Sequence, residues 1–353
     1  MAKENPGNFF ENFRLGQVIR HATPRTVTAG DQALYTALYG TRFALQSSEV
    51  FARACGLPAA PVDDLLAFHV VFGKTVPDIS LNAVANLGYA DCRFLAPVYP
   101  GDTLSAESEV IGLKENSNRK TGVVTVRSRG VNQHDEAVVE YTRWVMVKKG
   151  DPGAPAPEPV LPDLPDAVPA EHLTVPAGLD FSNFDFAAAG SPHRWADYEA
   201  GERIDHGDAM TIEEAEHQMA TRLYQNTARV HFNQHAESKG RFGRRIVYGG
   251  HVISLARSLS FNGLGSAVKL AAINAGTHAA PSFGGDTIYA WSEVIEKIEL
   301  PGRSDLGGLR LRTVAAKDLT CCAFPLKAVG EEGHGGYHPA VVLDLDYTVL
   351  LPR

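Results

Sequence analysis

The sequence predicts an α+β fold used twice in one chain, and three observations carry that prediction. The stretch "PVYPGDTLSAESEVI" at 97–111 matches "PSFGGDTIYAWSEVI" at 281–295 without a gap, nine of fifteen positions being identical at an offset of 184. Further upstream the offset becomes 185, so that Gly16 falls on Gly201, His21 on His206, Thr26 on Thr211 and Leu38-Tyr39 on Leu223-Tyr224. A period this long marks a duplicated domain, because solenoid repeats run at about 20 to 50 residues. Both halves also share one order of elements: a helical stretch, a loop, a more apolar helix, then strands broken by Gly, Asn and Asp. A chain of 353 residues is long enough to bury a core in each half.

The expected division is a first domain over 1–149, a Pro-rich linker over 150–178 whose prolines favour extended chain, and a second domain over 179–353. In the second half, "TIEEAEHQMATRLYQN" reads as a helix opening on a capping box of Thr211 and Glu214. "GGHVISLARSLSFNGLG" places Val252, Leu255, Ala256 and Leu259 on one face, the spacing of a helix buried against a sheet. "TIYAWSEVIEKIEL", "LGGLRLRTVAA" and "AVVLDLDYTVLL" supply antiparallel strands, the last matching "AVVEYTRWVMV" at the end of the first half.

Composition excludes several functions. With 44% hydrophobic and 21% charged residues the chain is an ordinary globular one, and no apolar run is long enough to cross a bilayer. The N-terminus "MAKENPGNFFENF" lacks the features of a secretory or transit signal, so a cytoplasmic location is expected. A formal charge of -8 argues against nucleic acid, which needs Lys and Arg to displace phosphate counterions. Cys55, Cys92, Cys321 and Cys322 show no C-x-x-C spacing and are expected to be reduced. His231 and His235 lie four apart, but no Glu follows His231 and no cysteine cluster supports a metal. Glycine-rich nucleotide loops and the G-x-S-x-G elbow do not occur, and "SAVK" at 266–269 lacks the companion motifs that would make it catalytic.

The loop after the first helix of the second half, "RLYQNTARVHFN", is followed ten residues beyond His231 by Arg241-Phe242-Gly243 and then by "RRIVYGG". That spacing resembles the MaoC-like hydratases, in which an Asp, an Asn two residues on and a His three further on precede an Arg-Phe-Gly and a helix start. With "YGTRFALQSS", "FHVVFGKTVPDISLNAVANLGYA" and "RRIVYGGHVISLARSLSFNGL", nearly the whole chain resembles the mesaconyl-CoA hydratases, also called β-methylmalyl-CoA dehydratases. The resemblance implies two tandem hot dog domains, each an antiparallel sheet wrapped around a central helix, and a CoA thioester substrate with no metal or redox cofactor. Two departures stand out: the family's Asp is Asn226 here, and the repeat carries the dyad onto Thr41 and Gln46, neither of which is a base near neutral pH. The resemblance therefore implies a catalytically silent first half.

Hydration of an enoyl thioester needs a base for the water, a proton for the α carbon and donors for the thioester oxygen. His231 is assigned the base, Asn226 the positioning of the water, and Gly249 the helix start whose free N–H groups meet the developing charge. Arg229 and Arg42 are candidates for pairing a substrate carboxylate, and Asp63, opposite Tyr248 in the repeat, for donating a proton from the other half. Arg241, Arg244 and Arg245 in "GRFGRR" are candidates for the phosphates of CoA. Plainer roles stay open: Asn226 can end a helix, Asp63 can cap one, and the arginines can form a solvated face. Exposed sheet edges suggest a homo-oligomer. A thioesterase and a non-catalytic acyl-CoA-binding protein are the alternative functions.

Overall fold

The computed structural model describes residues 3–327 and 336–353. Ten strands form a single antiparallel sheet: β1 (Val18–Thr26), β2 (Ala83–Phe94), β3 (Thr103–Glu115), β4 (Thr121–Val131), β5 (Ala137–Lys148), β6 (Arg203–Thr211), β7 (Lys269–Thr277), β8 (Thr287–Ile298), β9 (Leu306–Lys317) and β10 (Val341–Pro352). Their order, β1-β3-β4-β5-β2-β7-β10-β9-β8-β6, reads the same from either end once the second set is matched to the first. The halves join where β2 pairs with β7, Tyr89 opposite Gly276 and Cys92 opposite Ile273. That pairing uses one edge of each half, leaving β1 and β6 outermost, and both of these are interrupted by register shifts that discourage edge pairing.

The duplication extends to buried polar detail. His21 Nε2 meets Ser108 Oγ at 2.8 Å and His206 Nε2 meets Ser292 Oγ at 2.8 Å, each on the strand next to its own. Those serines continue to Ser128 in the first half and Thr313 in the second. Identical relays in both halves are expected of one fold copied, since a buried hydroxyl without a partner costs about 1–3 kcal/mol.

Four helices matter for the site: α1 (Ala29–Tyr39), α2 (Asp64–Thr75), α3 (Glu214–Leu223) and α4 (Gly249–Leu259). Helix α1 opens on the capping box of Thr28 and Asp31. Its counterpart α3 does not open as the sequence suggested: Thr211 ends β6, its hydroxyl paired with Thr287, and Glu213 stands at the cap position with no side-chain bond. At its other end α3 closes in a Schellman motif, with Gln225 left-handed at φ 53° and the Asn226 and Gln225 N–H groups donating to the Thr221 and Arg222 carbonyls.

Helices α2 and α4 are the central ones, and every residue of α2 is buried. They lie antiparallel, so the C-terminal part of each faces the N-terminal part of the other: His69 touches Ser254 at 3.1 Å and Phe72 packs on Tyr248, the residue before α4. A shared apolar core runs through both halves, from Val27 to Leu351. The Pro-rich stretch packs along the sheet, with Val160 bridged to Leu113 and the Val168 N–H donating to Asn274. Among the described residues no helix is long and apolar enough to cross a membrane.

Gly73 sets how closely the halves approach. A Cβ there would fall 1.8 Å from the Tyr224 carbonyl oxygen, a backbone atom that cannot step aside. Gly73→Ala is expected to lose about 3 kcal/mol or more of stability in a denaturant titration, at the upper end of overpacking costs; a loss under about 1 kcal/mol would show that the interface yields.

Candidate active site between the two halves

His231 closes a single 3-10 turn, Arg229–His231, that follows α3, and the chain is tied back by the Ile246 N–H donating to the Val230 carbonyl. The His231 Nδ1 lies 3.0 Å from the Ile246 carbonyl oxygen. A carbonyl only accepts, so Nδ1 carries the proton and Nε2 keeps a lone pair. Burial holds the imidazole down to about 4, with nearby His217 acting in the same direction against the Ile246 carbonyl. The ring is therefore neutral near pH 7. It packs edge-on against Tyr248, centroids 5.6 Å apart. His235 belongs to the next short helix, Gln234–Glu237, so the pair at 231 and 235 does not share one helical face.

Asn226 is buried, and its Oδ1 accepts from the Ala228 N–H at 3.0 Å. This orients the amide: oxygen toward the turn, Nδ2 left to donate. Both plain and chemical readings of Asn226 hold together, because it completes the helix end and also lines a cleft of about 560 Å3 between the halves. From the first half that cleft takes Ala22, Thr23, Gly73, Lys74 and Pro77; from the second it takes Gln218, Thr221, Arg222, Thr227 and Phe232.

Gly249 opens α4, but the space a Cβ would fill holds the His278 ring, 2.4 Å from that position. The glycine makes room for an imidazole. His278, whose pKa burial lowers to about 4, also meets the Tyr89 hydroxyl at 3.3 Å. Tyr248 joins His231 to the buried network, its hydroxyl 3.3 Å from His69 Nδ1. Beyond His69 the network runs through Ser254 to Tyr35, while the Tyr39 hydroxyl bridges Tyr224 at 2.7 Å and His251 at 2.9 Å. His278 lies in no quoted motif, and His69 and Tyr89, although inside "FHVVFGKTVPDISLNAVANLGYA", have no assigned role there; the fold brings the three here.

The other assigned residues lie elsewhere. Arg42 stacks on Phe261 at 4.3 Å, beyond the C-terminal end of α4, so it is a helix length away from His231. Asp63 caps α2 by accepting from the Leu65 N–H at 2.9 Å, and its carboxyl, pushed up to about 6 chiefly by burial, stands in the first half's own site. That place holds only about 10 Å3 of space among Phe43, Gln46, Asp64 and Arg257. Arg257 covers the Phe43 ring at 3.6 Å, Gln46 donates to the Val268 carbonyl, and Asp64 is paired with Lys269, so no substrate fits. Arg245 is spent on Glu214, which also meets His217 at 3.0 Å. Arg244 lies over Phe283 at 4.1 Å and Arg241 over Phe242 at 5.1 Å, both exposed, as is Arg229. Among the described residues no group of three His, Cys, Asp or Glu side chains could hold a metal.

A duplicated hot dog fold with one neutral imidazole at the start of the second central helix, and with the matching place filled in the first half, defines a MaoC-like hydratase. A family model described as mesaconyl-CoA hydratase matches residues 1–322, and the chain belongs to that family. It is 68% identical over 352 residues to the beta-methylmalyl-CoA dehydratase of Chloroflexus aurantiacus, covering 100% of this chain and 99% of that protein. It is 61% identical over 353 residues to the mesaconyl-CoA hydratase of Cereibacter sphaeroides, covering 99% and 100%. A solved MaoC domain dehydratase from Chloroflexus aurantiacus superposes with TM-score 0.97 at 67% identity, covering 100% of this chain and 99% of its own. A Mycobacterium tuberculosis protein described as a double hot dog fold gives TM-score 0.74 at 25% identity, covering 98% and 99%.

Five imidazoles, those of His69, His206, His231, His251 and His278, are held at about 3 to 4 by burial. Unfolded, each titrates near 6.5, so between about 4 and 6.5 the unfolded chain binds more protons and the fold loses stability as pH falls. The thermal midpoint is expected to drop continuously from pH 6.5 to pH 4; a flat midpoint over that window would contradict the burial of these rings.

Proposed function

We propose that the chain reversibly hydrates mesaconyl-CoA to β-methylmalyl-CoA, at the site built around His231. The observation that carries this reading is the fixed tautomer: Nδ1 is occupied by a backbone carbonyl, so Nε2 is left as a neutral acceptor. Nε2 takes a proton from water as the water oxygen bonds to the β carbon, and electron density moves through the α carbon to the thioester oxygen. The Gly249 and Gly250 N–H groups that open α4 stabilise that oxygen, the His251 N–H being taken by the Tyr248 carbonyl. Asn226 cannot exchange a proton, so the imidazole that took one returns it to the α carbon. A ring held near 4 gives its proton up readily. Both additions then come from one side of the double bond.

The cleft suits the CoA arm. Lys74 and Arg222 line it with no carboxylate among the lining residues, and the repeat puts neutral Leu259 and Ala37 in their places on the silent side. Burial lowers Lys74 to about 8, aided by Arg25, which still leaves it cationic at pH 7. We assign the CoA phosphates to these two cations, which line the cleft, in place of Arg241, Arg244 and Arg245, which do not. A CoA thioester substrate also supports a cytoplasmic location. Directing the water at the carbonyl would make the protein a thioesterase, and enoyl absorbance lost without release of free thiol separates the two.

His231→Ala is expected to lower kcat on mesaconyl-CoA by about 10²- to 10⁴-fold. Asn226→Ala should lose at least about tenfold, the equivalent of one hydrogen bond. Thr41→Ala and Gln46→Ala should stay within about twofold of the unmodified enzyme, since a hydroxyl and an amide in a closed space contribute nothing to the chemistry. Equal losses from both halves would refute a single active half.

A further inference from the structure

Arg143 on β5 is the most deeply buried cation of the first half, 0% exposed, and the hydratase mechanism above makes no use of it. Its Nη2 donates to Thr75 Oγ1 at 2.8 Å and Ser80 Oγ at 3.4 Å, while Nε and Nη1 are buried with no hydrogen-bond partner. Among the described residues it has no ion-pair partner, and its guanidinium lies 4.2 Å from the centre of the Phe72 ring. Burial lowers its pKa, and the groups that oppose this are the neutral phenols of Tyr141, Tyr89 and Tyr248. A guanidinium does not deprotonate in proteins, and a buried charge left without a counterion costs several kcal/mol. A fold that keeps one has a reason to.

Its place supplies the reason. The guanidinium lies on Phe72, Phe72 packs on Tyr248 at 5.6 Å, and Tyr248 packs on His231 at 5.6 Å, so two stacked rings connect the cation to the base. The duplicated half carries no such charge: Arg143 stands opposite Val126, and the matching position opposite Leu311 is Tyr347, a neutral phenol. In a fumaryl-type thioester the β carbon that receives the water also bears the free carboxylate. The counter-charge must therefore lie within an acyl length of the base, and neutralising that carboxylate also eases attack on the adjacent carbon.

Resting on the hydratase reading, we propose that Arg143, contributed by the half without the catalytic His, pairs with the substrate's free carboxylate and selects half-thioesters of dicarboxylic acids over simple enoyl thioesters. This gives Arg143 the role that the sequence suggested for Arg229 or Arg42.

The test compares the full-length enzyme with Arg143→Met and Arg143→Lys. Binding is read by calorimetry with two unreactive probes, succinyl-CoA, which has a carboxylate on its β carbon, and butyryl-CoA, which has a methyl there. The unmodified protein should bind succinyl-CoA more tightly. Arg143→Met should weaken it about 100-fold, in the range measured for losing one partner of a buried ion pair, with butyryl-CoA unchanged within about threefold. Arg143→Lys should fall between. Removing an uncompensated buried charge should leave the thermal midpoint of the substrate-free protein unchanged or raised.

Equal weakening of both probes, or of neither, overturns the proposal. So does a lowered midpoint with both probes lost, which would make Arg143 a brace for Thr75 and Ser80. Hydration of mesaconyl-CoA by the unmodified enzyme is measured in parallel. Its absence would sink the hydratase reading, whereas its presence with an unaltered probe preference in Arg143→Met would sink only this inference.

Discussion

The candidate active site depends on the antiparallel contact of the two central helices, held at the distance Gly73 allows. Because a Cβ at that position would strike the Tyr224 carbonyl, the first half lies directly against the loop that carries Asn226 and His231. The same contact brings Phe72 and His69 to Tyr248 and puts Lys74 on the cleft. A duplicated fold would give two equivalent sites if its sequence stayed symmetric. Here the place in the first half is filled by Phe43, Gln46 and Arg257, while the cleft lined by Asn226 takes residues from both halves.

Replacing the family's Asp by Asn226 changes what the imidazole must do. With a carboxylate partner, a His has help in taking or returning a proton; with an amide it has none. Burial answers the difficulty by holding the ring at about 4, which keeps it a neutral acceptor at working pH and makes its protonated form a strong donor. The Ile246 carbonyl contributes by fixing which nitrogen acts. Stability bears the cost, since several rings buried in neutral form resist the protonation that unfolding would permit.

The repeat was legible because strand turns and relay histidines sit at a constant spacing, and His231 because its spacing to Arg241-Phe242-Gly243 matches a known pattern. The start of α3 was misread, since Thr211 and Glu214 have the spacing of a capping box while the backbone at Thr211 is still extended. Arg42 was misplaced because a repeat maps sequence onto sequence, whereas the rotation relating the halves carries the matching loop to the far end of α4, about 16 Å for eleven residues. Arg143 and His278 gave no functional signal, and Lys74 lay without an assigned role in the stretch "FHVVFGKTVPDISLNAVANLGYA". They come from β5, the end of β7 and the end of α2, and only packing of the halves brings them near His231. The asymmetry of the repeat, Lys74 against Leu259, was the one trace of them in the sequence.

The central claim is that His231 is neutral, with its proton on Nδ1 and Nε2 open. Nitrogen-15 NMR of the imidazoles, assigned by comparison with His231→Ala, reads this directly. Between pH 5.5 and 8 the expected result is one protonated nitrogen, Nδ1, with no change across the range. A doubly protonated ring at pH 5.5, or the proton on Nε2, would contradict it.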